Sequence, residues 1–127
     1  MKKILFIIVL IFMWISISNA GVSDKPSLPR TWTVRDSKAY AKDKLFAWEQ
    51  NQYLCLEKLW TKESNWRPEA YNKQKVMGKN AGGIPQILGM LPSTPATLQI
   101  DRGLAYIMYR YGTPCMAWKF HQRKGWY

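Results

Sequence analysis

The sequence has little negative charge and almost no histidine. Nineteen lysines and arginines face eight acidic residues, and the 127 residues include one histidine, His121, and two cysteines. A structural zinc site usually takes four ligands, so this supply disfavours metal binding, and we expect no metal and no cofactor. A histidine-activated nucleophile is also disfavoured, because no acidic residue lies close to His121 in the sequence to orient its ring.

Long apolar runs are scarce as well, and the one at the N-terminus has the form of an export signal. Lys2 and Lys3 precede the apolar run Ile4–Ile17, and the small-x-small sequence Ser-Asn-Ala follows at 18–20. This run is shorter than the roughly 20 residues that cross a bilayer. The pattern predicts a signal peptide at residues 1–20, cleaved after Ala20, in a periplasmic or secreted protein that meets the membrane only through that signal. An uncleaved anchor is the alternative.

The mature chain remains strongly basic. Loss of Lys2 and Lys3 lowers the formal charge from +11 to +9 and leaves a single small domain, which we expect to be monomeric. Such a charge favours an anionic partner, which could be wall polymer, anionic lipid or nucleic acid. Export removes the protein from most nucleic acid, so we expect no nucleic-acid partner.

The two cysteines, Cys55 and Cys115, form an even pair in a chain that we expect to enter an oxidising compartment. We therefore predict a disulfide between them. A bridge that closes a loop of this length contributes on the order of 4 kcal/mol in the chain-entropy model. Two free buried thiols would fit only a reducing compartment.

Organisation along the chain predicts a mainly α-helical domain at residues 43–127 behind an extended leader at residues 21–42. The leader has two prolines and no periodicity, although Ser37 could cap a short helix near its end. A second helix is predicted from about Gln52 to Ser64. A loop or small irregular hairpin is predicted after Pro68.

Three further elements follow in the C-terminal half. Ile84 and Pro85 have the form of a helix start, which would place Gln86 in a first helical turn. A helix is predicted from Thr97, with a cap at Thr94 or Ser93 and a stop at Gly112, and a last helix from Cys115.

Glu63 ends an apolar stripe on the second predicted helix. Leu56, Leu59, Trp60 and Glu63 share one face at helical spacing. Burial and the helix C-terminus would both favour a protonated carboxyl, which can act as an acid. The adjacent Lys62, or an earlier helix end, would instead leave a solvated carboxylate, and in isolation this is the simpler interpretation.

Glycosidases commonly use two carboxylates, and the chain offers few partners for Glu63. Glu57 lies on the opposite face of the same predicted helix. This leaves Glu69 and Asp101 as the possible second carboxylates between Leu54 and the C-terminus.

Four segments occur in an order that resembles a known family: "ESNWRPEAYN" (63–72), "AGGIPQI" (81–87), "QIDRGLAYI" (99–107) and "AWKFHQRKGWY" (117–127). Together they resemble the soluble-type (SLT) lytic transglycosylase domain of the lysozyme-like superfamily, over residues 45–127. The resemblance implies a small two-lobed, mainly helical domain whose cleft holds a glycan strand of peptidoglycan.

The resemblance also assigns roles to residues. Glu63 stands at the position of the catalytic acid. Substrate-binding roles are expected at six positions, some of them aromatic residues near loops: Ser64, Trp66, Gln86, Tyr106, Phe120 and His121. Trp126 and Tyr127 also flank a loop and could line the cleft.

Four positions depart from the family pattern. Pro85 stands where methionine is usual and Gln99 where asparagine is common, while Phe120 and His121 stand in place of tyrosine and asparagine. These departures affect the expected sugar subsites and leave Glu63 untouched.

The resemblance therefore predicts an exported peptidoglycan lytic transglycosylase. Such an enzyme cleaves the β-1,4 bond between N-acetylmuramic acid and N-acetylglucosamine with formation of a 1,6-anhydro sugar. A one-carboxylate mechanism suits the scarcity of acidic residues. The alternatives are a lysozyme-type muramidase, a non-catalytic peptidoglycan-binding domain and a basic protein that attacks anionic membranes.

Overall fold

The computed structural model describes residues 31–127, so the predicted signal peptide and the leader through residue 30 lie outside the described residues. Within them the chain is mainly helical, as predicted, with one small sheet. The elements are α1 Val34–Lys44, α2 Gln50–Ser64, β1 Tyr71–Val76, β2 Lys79–Gly82, β3 Ile87–Leu88, α3 Ala96–Tyr111 and α4 Pro114–Lys124. No helix of residues 31–127 combines the length and the apolar content that a bilayer crossing requires.

Helix α1 begins earlier than the sequence suggested. Thr33 caps it: its Oγ1 accepts from the Asp36 amide at 3.2 Å, and the Asp36 carboxylate accepts from the Thr33 amide at 2.9 Å. This reciprocal capping box starts the helix, while Ser37 lies inside it, buried, with a hydroxyl that accepts from Trp32 Nε1 at 2.8 Å. The extended leader predicted to residue 42 is therefore wrong from residue 34 onward, and the domain begins before residue 43.

Helix α2 carries the predicted apolar stripe. Leu56, Leu59 and Trp60 are fully buried and form the centre of the core. The helix packs against α4, and the predicted disulfide Cys55–Cys115 joins the two helices, with their Cα atoms 4.9 Å apart. The disulfide prediction is confirmed.

The segment after α2 forms the small irregular hairpin that the sequence predicted, extended by a third strand. The antiparallel sheet has the order β1-β2-β3, and Gly82 pairs with both Tyr71 and Ile87. The helix predicted from Ile84 is wrong, because Gly83 and Gln86 have φ values of 72° and 52° and form a turn. Left-handed residues cannot continue a right-handed helix.

Helix α3 packs against α4 and α1 and contributes buried residues to the core. It starts at Ala96, with Pro95 rather than Thr94 or Ser93 at the cap position, and it ends at Gly112 as predicted. Its Gly103 lies against the side chain of Trp60 from α2, and an added Cβ would lie 2.7 Å from the Trp60 ring. Helix α4 follows at Pro114, capped by the hydroxyl of Thr113.

Candidate active site

A cleft of about 720 Å³ lies between the sheet and the helices. The sheet and its turns supply one wall; the end of α2, the second half of α3 and the C-terminal residues supply the other. The lining residues are Glu63, Asn72, Val76, Met77, Ala81, Gln86, Ile87, Leu88, Tyr106, Arg110, Gly125, Trp126 and Tyr127. The cleft thus brings together three of the predicted site residues, Glu63, Gln86 and Tyr106, with Trp126 and Tyr127 beside them.

Glu63 occupies the last turn of α2 at the cleft wall. Its side chain is only 16% exposed, and this burial raises the pKa of its carboxyl to about 7. The carboxyl is therefore about half protonated at neutral pH. The structure agrees with the expectation that burial on the apolar stripe favours a proton-donating form.

His121 contacts Glu63 directly. Its Nε2 lies 2.9 Å from Glu63 Oε1, and its ring stacks on Trp118 with centroids 5.7 Å apart. Burial, assisted by the charge of Lys62, lowers the pKa of His121. A charged pair would show the opposite directions for both groups, so we assign the neutral form to both side chains.

This contact changes the role of His121 expected from the sequence. His121 is not among the cleft-lining residues, and its observed contact is with the carboxyl of Glu63. The sequence also indicated no acidic partner for His121. The fold supplies one, since the packing of α2 against α4 brings Glu63 to the ring.

Two predicted substrate contacts are wrong because the side chains are buried. Ser64 is 4% exposed, and its hydroxyl donates to the Ile84 carbonyl at 2.7 Å, which ties the end of α2 to the turn beneath the cleft. Trp66 is 1% exposed and packs edge-on against Trp60 with centroids 5.1 Å apart. Both residues support the site from the core.

The turn at residues 83–86 is held by two glutamine amides. Gln86 lines the cleft, and its Nε2 donates to the carbonyls of Gly83 and Ala70 at 2.9 and 3.2 Å. Gln99 is fully buried and accepts from the Ile84 amide at 2.7 Å, while its Nε2 donates to the carbonyls of Pro68 and Thr94. The departure at Gln99 therefore has a structural role behind the cleft.

Aromatic residues form the wall opposite the sheet. Tyr127 donates to the Pro85 carbonyl at 2.7 Å and accepts from Trp60 Nε1 at 2.9 Å, which fixes the C-terminal residue against the core. Burial raises the pKa of this hydroxyl well above its usual value. Phe120 is half-buried outside the cleft lining and packs edge-on against Trp126, with ring centroids 4.9 Å apart.

The possible second carboxylates all lie elsewhere. Glu57 pairs with Lys38 at 3.1 Å, and Asp101 accepts from the Tyr40 hydroxyl at 3.1 Å and pairs with Lys44. Glu69 is an exposed loop residue outside the cleft lining. Glu63 is thus the only carboxylate that lines the cleft in the described part of the chain.

Residues 31–127 contain no cluster of three or more histidine, cysteine or carboxylate side chains placed to hold a metal ion.

Sequence reasoning missed Arg110, which lines the cleft one helical turn after Tyr106. The spacing of four residues between Arg110 and Tyr106 was the sequence signal that could have found it, because residues at this spacing share a helix face.

No family model, curated protein or solved structure matches this chain.

Proposed function

We propose that the protein is an exported peptidoglycan lytic transglycosylase with Glu63 as its general acid and base. The observation that carries the proposal is a mostly buried carboxyl, with its pKa raised to about 7, that has no second carboxylate beside it among the residues of 31–127 that line the cleft. General acids work best when their pKa lies near the operating pH.

In the first step, protonated Glu63 donates its proton to the glycosidic oxygen that follows N-acetylmuramic acid. The bond between this oxygen and the anomeric carbon breaks, and the leaving sugar departs with a new hydroxyl. Glu63 lies on the apolar face of α2, and its burial there raises its pKa so that part of the carboxyl remains protonated near neutral pH. The protonated form is the one that this step requires.

In the second step, the 6-hydroxyl of the same muramic acid attacks the anomeric carbon. Its proton passes to the Glu63 carboxylate, which restores the acid. The product is a 1,6-anhydro sugar and no water is consumed, so a single carboxylate performs both proton transfers.

The absence of a second carboxylate in the cleft lining favours this reaction over hydrolysis. Hydrolytic glycosidases commonly place a base or nucleophile about 5 to 9.5 Å from the acid. Glu57 and Asp101 are engaged with lysines on other faces of the domain, and Glu69 lies outside the cleft lining. The transglycosylase reaction needs no such partner.

The cleft wall and the net charge suit a wall glycan. Tyr106, Trp126 and Tyr127 offer aromatic faces on which sugar rings can stack. The basic chain favours binding to anionic wall polymer. The disulfide and the N-terminal sequence pattern are typical of an exported protein.

The test is a digest of purified sacculi followed by mass spectrometry of the released fragments. We expect 1,6-anhydro ends from the unaltered protein and none from Glu63→Gln. Glu57→Gln is the matched control, because it removes a carboxylate from the same helix outside the cleft. Reducing ends would show a muramidase instead, and co-sedimentation with the sacculi without release would show a non-catalytic binder.

A further inference from the structure

One charged residue in the cleft has no part in the proposed proton transfers. Arg110 lies in the last turn of α3 and lines the cleft together with Glu63. These two are the only ionisable acid and base among the lining residues other than tyrosines. Because Glu63 is partly neutral near pH 7, Arg110 is the permanent charge of the described cleft.

The guanidinium of Arg110 is held by aromatic side chains. Its Nη1 donates to the Tyr106 hydroxyl at 2.8 Å. Its central carbon lies over the rings of Trp126, Tyr111 and Tyr106 at 5.1, 5.6 and 5.9 Å. These contacts orient a planar group at the cleft wall at little further cost in side-chain entropy.

No carboxylate of residues 31–127 pairs with Arg110. Lys38 pairs with Glu57 and Lys44 with Asp101, while Glu63 is in contact with His121. Arg110 donates one hydrogen bond, to the Tyr106 hydroxyl, so most of its five N–H donors are left for a ligand.

We propose that Arg110 forms a carboxylate-binding subsite of the cleft, which selects glycan strands that carry acidic substituents. The inference rests on the proposed function. Peptidoglycan offers this chemistry in two places, on the stem peptide and on the lactyl group of muramic acid that has lost its peptide. A guanidinium binds either carboxylate through two parallel hydrogen bonds, whereas neutral sugars have no such group.

The experiment measures binding to four oligosaccharides by quenching of tryptophan fluorescence, since Trp126 adjoins Arg110. The full exported protein is used with Glu63→Gln to prevent turnover. The probes are a neutral N-acetylglucosamine oligomer, a peptide-free muramic acid oligomer, the same oligomer with stem peptides, and that last compound with all its carboxylates amidated.

Three variants are compared in this background: Arg110→Gln, Arg110→Lys and Arg102→Gln. Arg102 is an exposed arginine of the same helix outside the cleft lining, so its variant controls for net charge. We expect Arg110→Gln to weaken binding of carboxylate-bearing glycans roughly tenfold, and to leave the neutral oligomer unchanged. Arg110→Lys should fall between, because it keeps the charge and loses the paired hydrogen bonds.

The probes separate the two sources of carboxylate. A loss confined to the peptide-bearing oligomer assigns the subsite to the stem peptide, a loss confined to the peptide-free oligomer assigns it to the lactyl group, and a loss shared by both shows that it accepts either carboxylate. If the stem peptide supplies the carboxylate, amidation should reduce binding to the protein with intact Arg110 and have no effect in Arg110→Gln. The comparison of amidated and unamidated probes with intact Arg110 does not depend on whether the Arg110 variants fold.

Other results overturn the inference. Equal weakening by Arg102→Gln would show a general charge effect, and equal weakening for the neutral oligomer would show that Arg110 only packs the aromatic wall. If the protein with intact Arg110 binds the neutral and acidic oligomers with equal affinity, the carboxylate subsite is rejected and the proposed function is not. Failure to bind any of the four glycans would reject the proposed function together with the subsite.

Discussion

The imidazole Nε2 of His121 lies 2.9 Å from Oε1 of Glu63, between α4 and the last turn of α2. Both side chains are largely buried, at 14% and 16% exposure. Burial disfavours the charged form of each group, so the carboxyl retains its proton and the ring stays neutral. His121 thereby orients one oxygen of Glu63 and leaves the other for the cleft.

Glu63→Gln should reduce glycan cleavage by roughly 10²-fold or more, because the amide has no proton for the leaving oxygen. The variant should remain folded and still bind sacculi, as the two side chains have similar volume. Release of anhydro fragments and thermal unfolding are the two measurements. Anhydro ends that persist in the Glu63→Gln digest would identify another residue as the acid.

Cleavage should decline as the pH rises through about 7. The acid form of Glu63 has a pKa of about 7, and it is lost above that value. Initial rates of sacculus solubilisation between pH 5 and pH 9, at constant ionic strength, measure this limb. A rate that still rises above pH 8 would contradict the assignment of Glu63 as the protonated group.

His121→Ala should move this alkaline limb to lower pH. Removal of the ring admits water to Glu63 Oε1, relieves the burial that raises the carboxyl pKa, and favours the ionised form. His121→Gln should shift the limb in the same direction, since its amide can donate to the carboxylate. An unmoved limb with a lower maximum rate would show that His121 acts on the geometry of Glu63 and not on its proton.

The burial of Glu63 also predicts a pH dependence of stability. Its pKa is raised from 4.5 to about 7, so the folded chain binds more protons than the unfolded chain between these values. Stability linked to Glu63 is therefore fully present below pH 4.5 and is lost as pH rises through about 7. Glu63→Gln should raise the free energy of unfolding at pH 8 by on the order of 1 to 3 kcal/mol relative to the unaltered protein.

Denaturant titrations at pH 8 and at pH 4.5 measure this effect. At pH 4.5 the two proteins should have nearly equal stability, because Glu63 is then protonated in the folded state. The difference between the two proteins cancels the contribution of His121 to first order. If Glu63→Gln is less stable than the unaltered protein at pH 8, then the ionised Glu63 carboxylate does not destabilise the folded state.

Loss of the disulfide should weaken both the fold and the site. Cys55→Ser together with Cys115→Ser should lower the free energy of unfolding by about 2 to 4 kcal/mol. Because the bridge joins α2 to α4, it also holds Glu63 near His121, and the cleavage rate should fall further than the change in folded fraction explains. Thiol labelling of the native protein checks the premise, since modification of both cysteines would show that the bridge is absent.

Several features follow from local sequence alone. The spacing of Leu56, Leu59, Trp60 and Glu63 determined that the carboxyl would share the buried face of a helix, because a period of 3.6 residues is a local property of the backbone. Two cysteines allow only one intramolecular pairing, so their number determined which disulfide could form.

Local signals were less reliable where turns compete with helices. Ile84 and Pro85 have the form of a helix start, yet a turn forms instead, because the Ser64 hydroxyl donates to the Ile84 carbonyl and the Gln99 side chain accepts from the Ile84 amide. The first helix began at Thr33 rather than Ser37 because the Thr33–Asp36 capping box offers reciprocal hydrogen bonds. Contacts made by distant side chains override the helix-start pattern at Ile84 and Pro85, whereas the capping box of Thr33 and Asp36 could be recognised in the sequence.

Only the tertiary structure decided which residues meet at the cleft. The pairing of His121 with Glu63, the placing of Arg110 beside Trp126, and the engagement of Asp101 with Lys44 depend on how segments distant in sequence pack together. Hydrophobic periodicity indicates which face of a helix is buried, but it does not indicate which other helix or strand packs against that face. That choice depends on close steric fit, such as the approach of Gly103 to the Trp60 ring, and on the disulfide between α2 and α4.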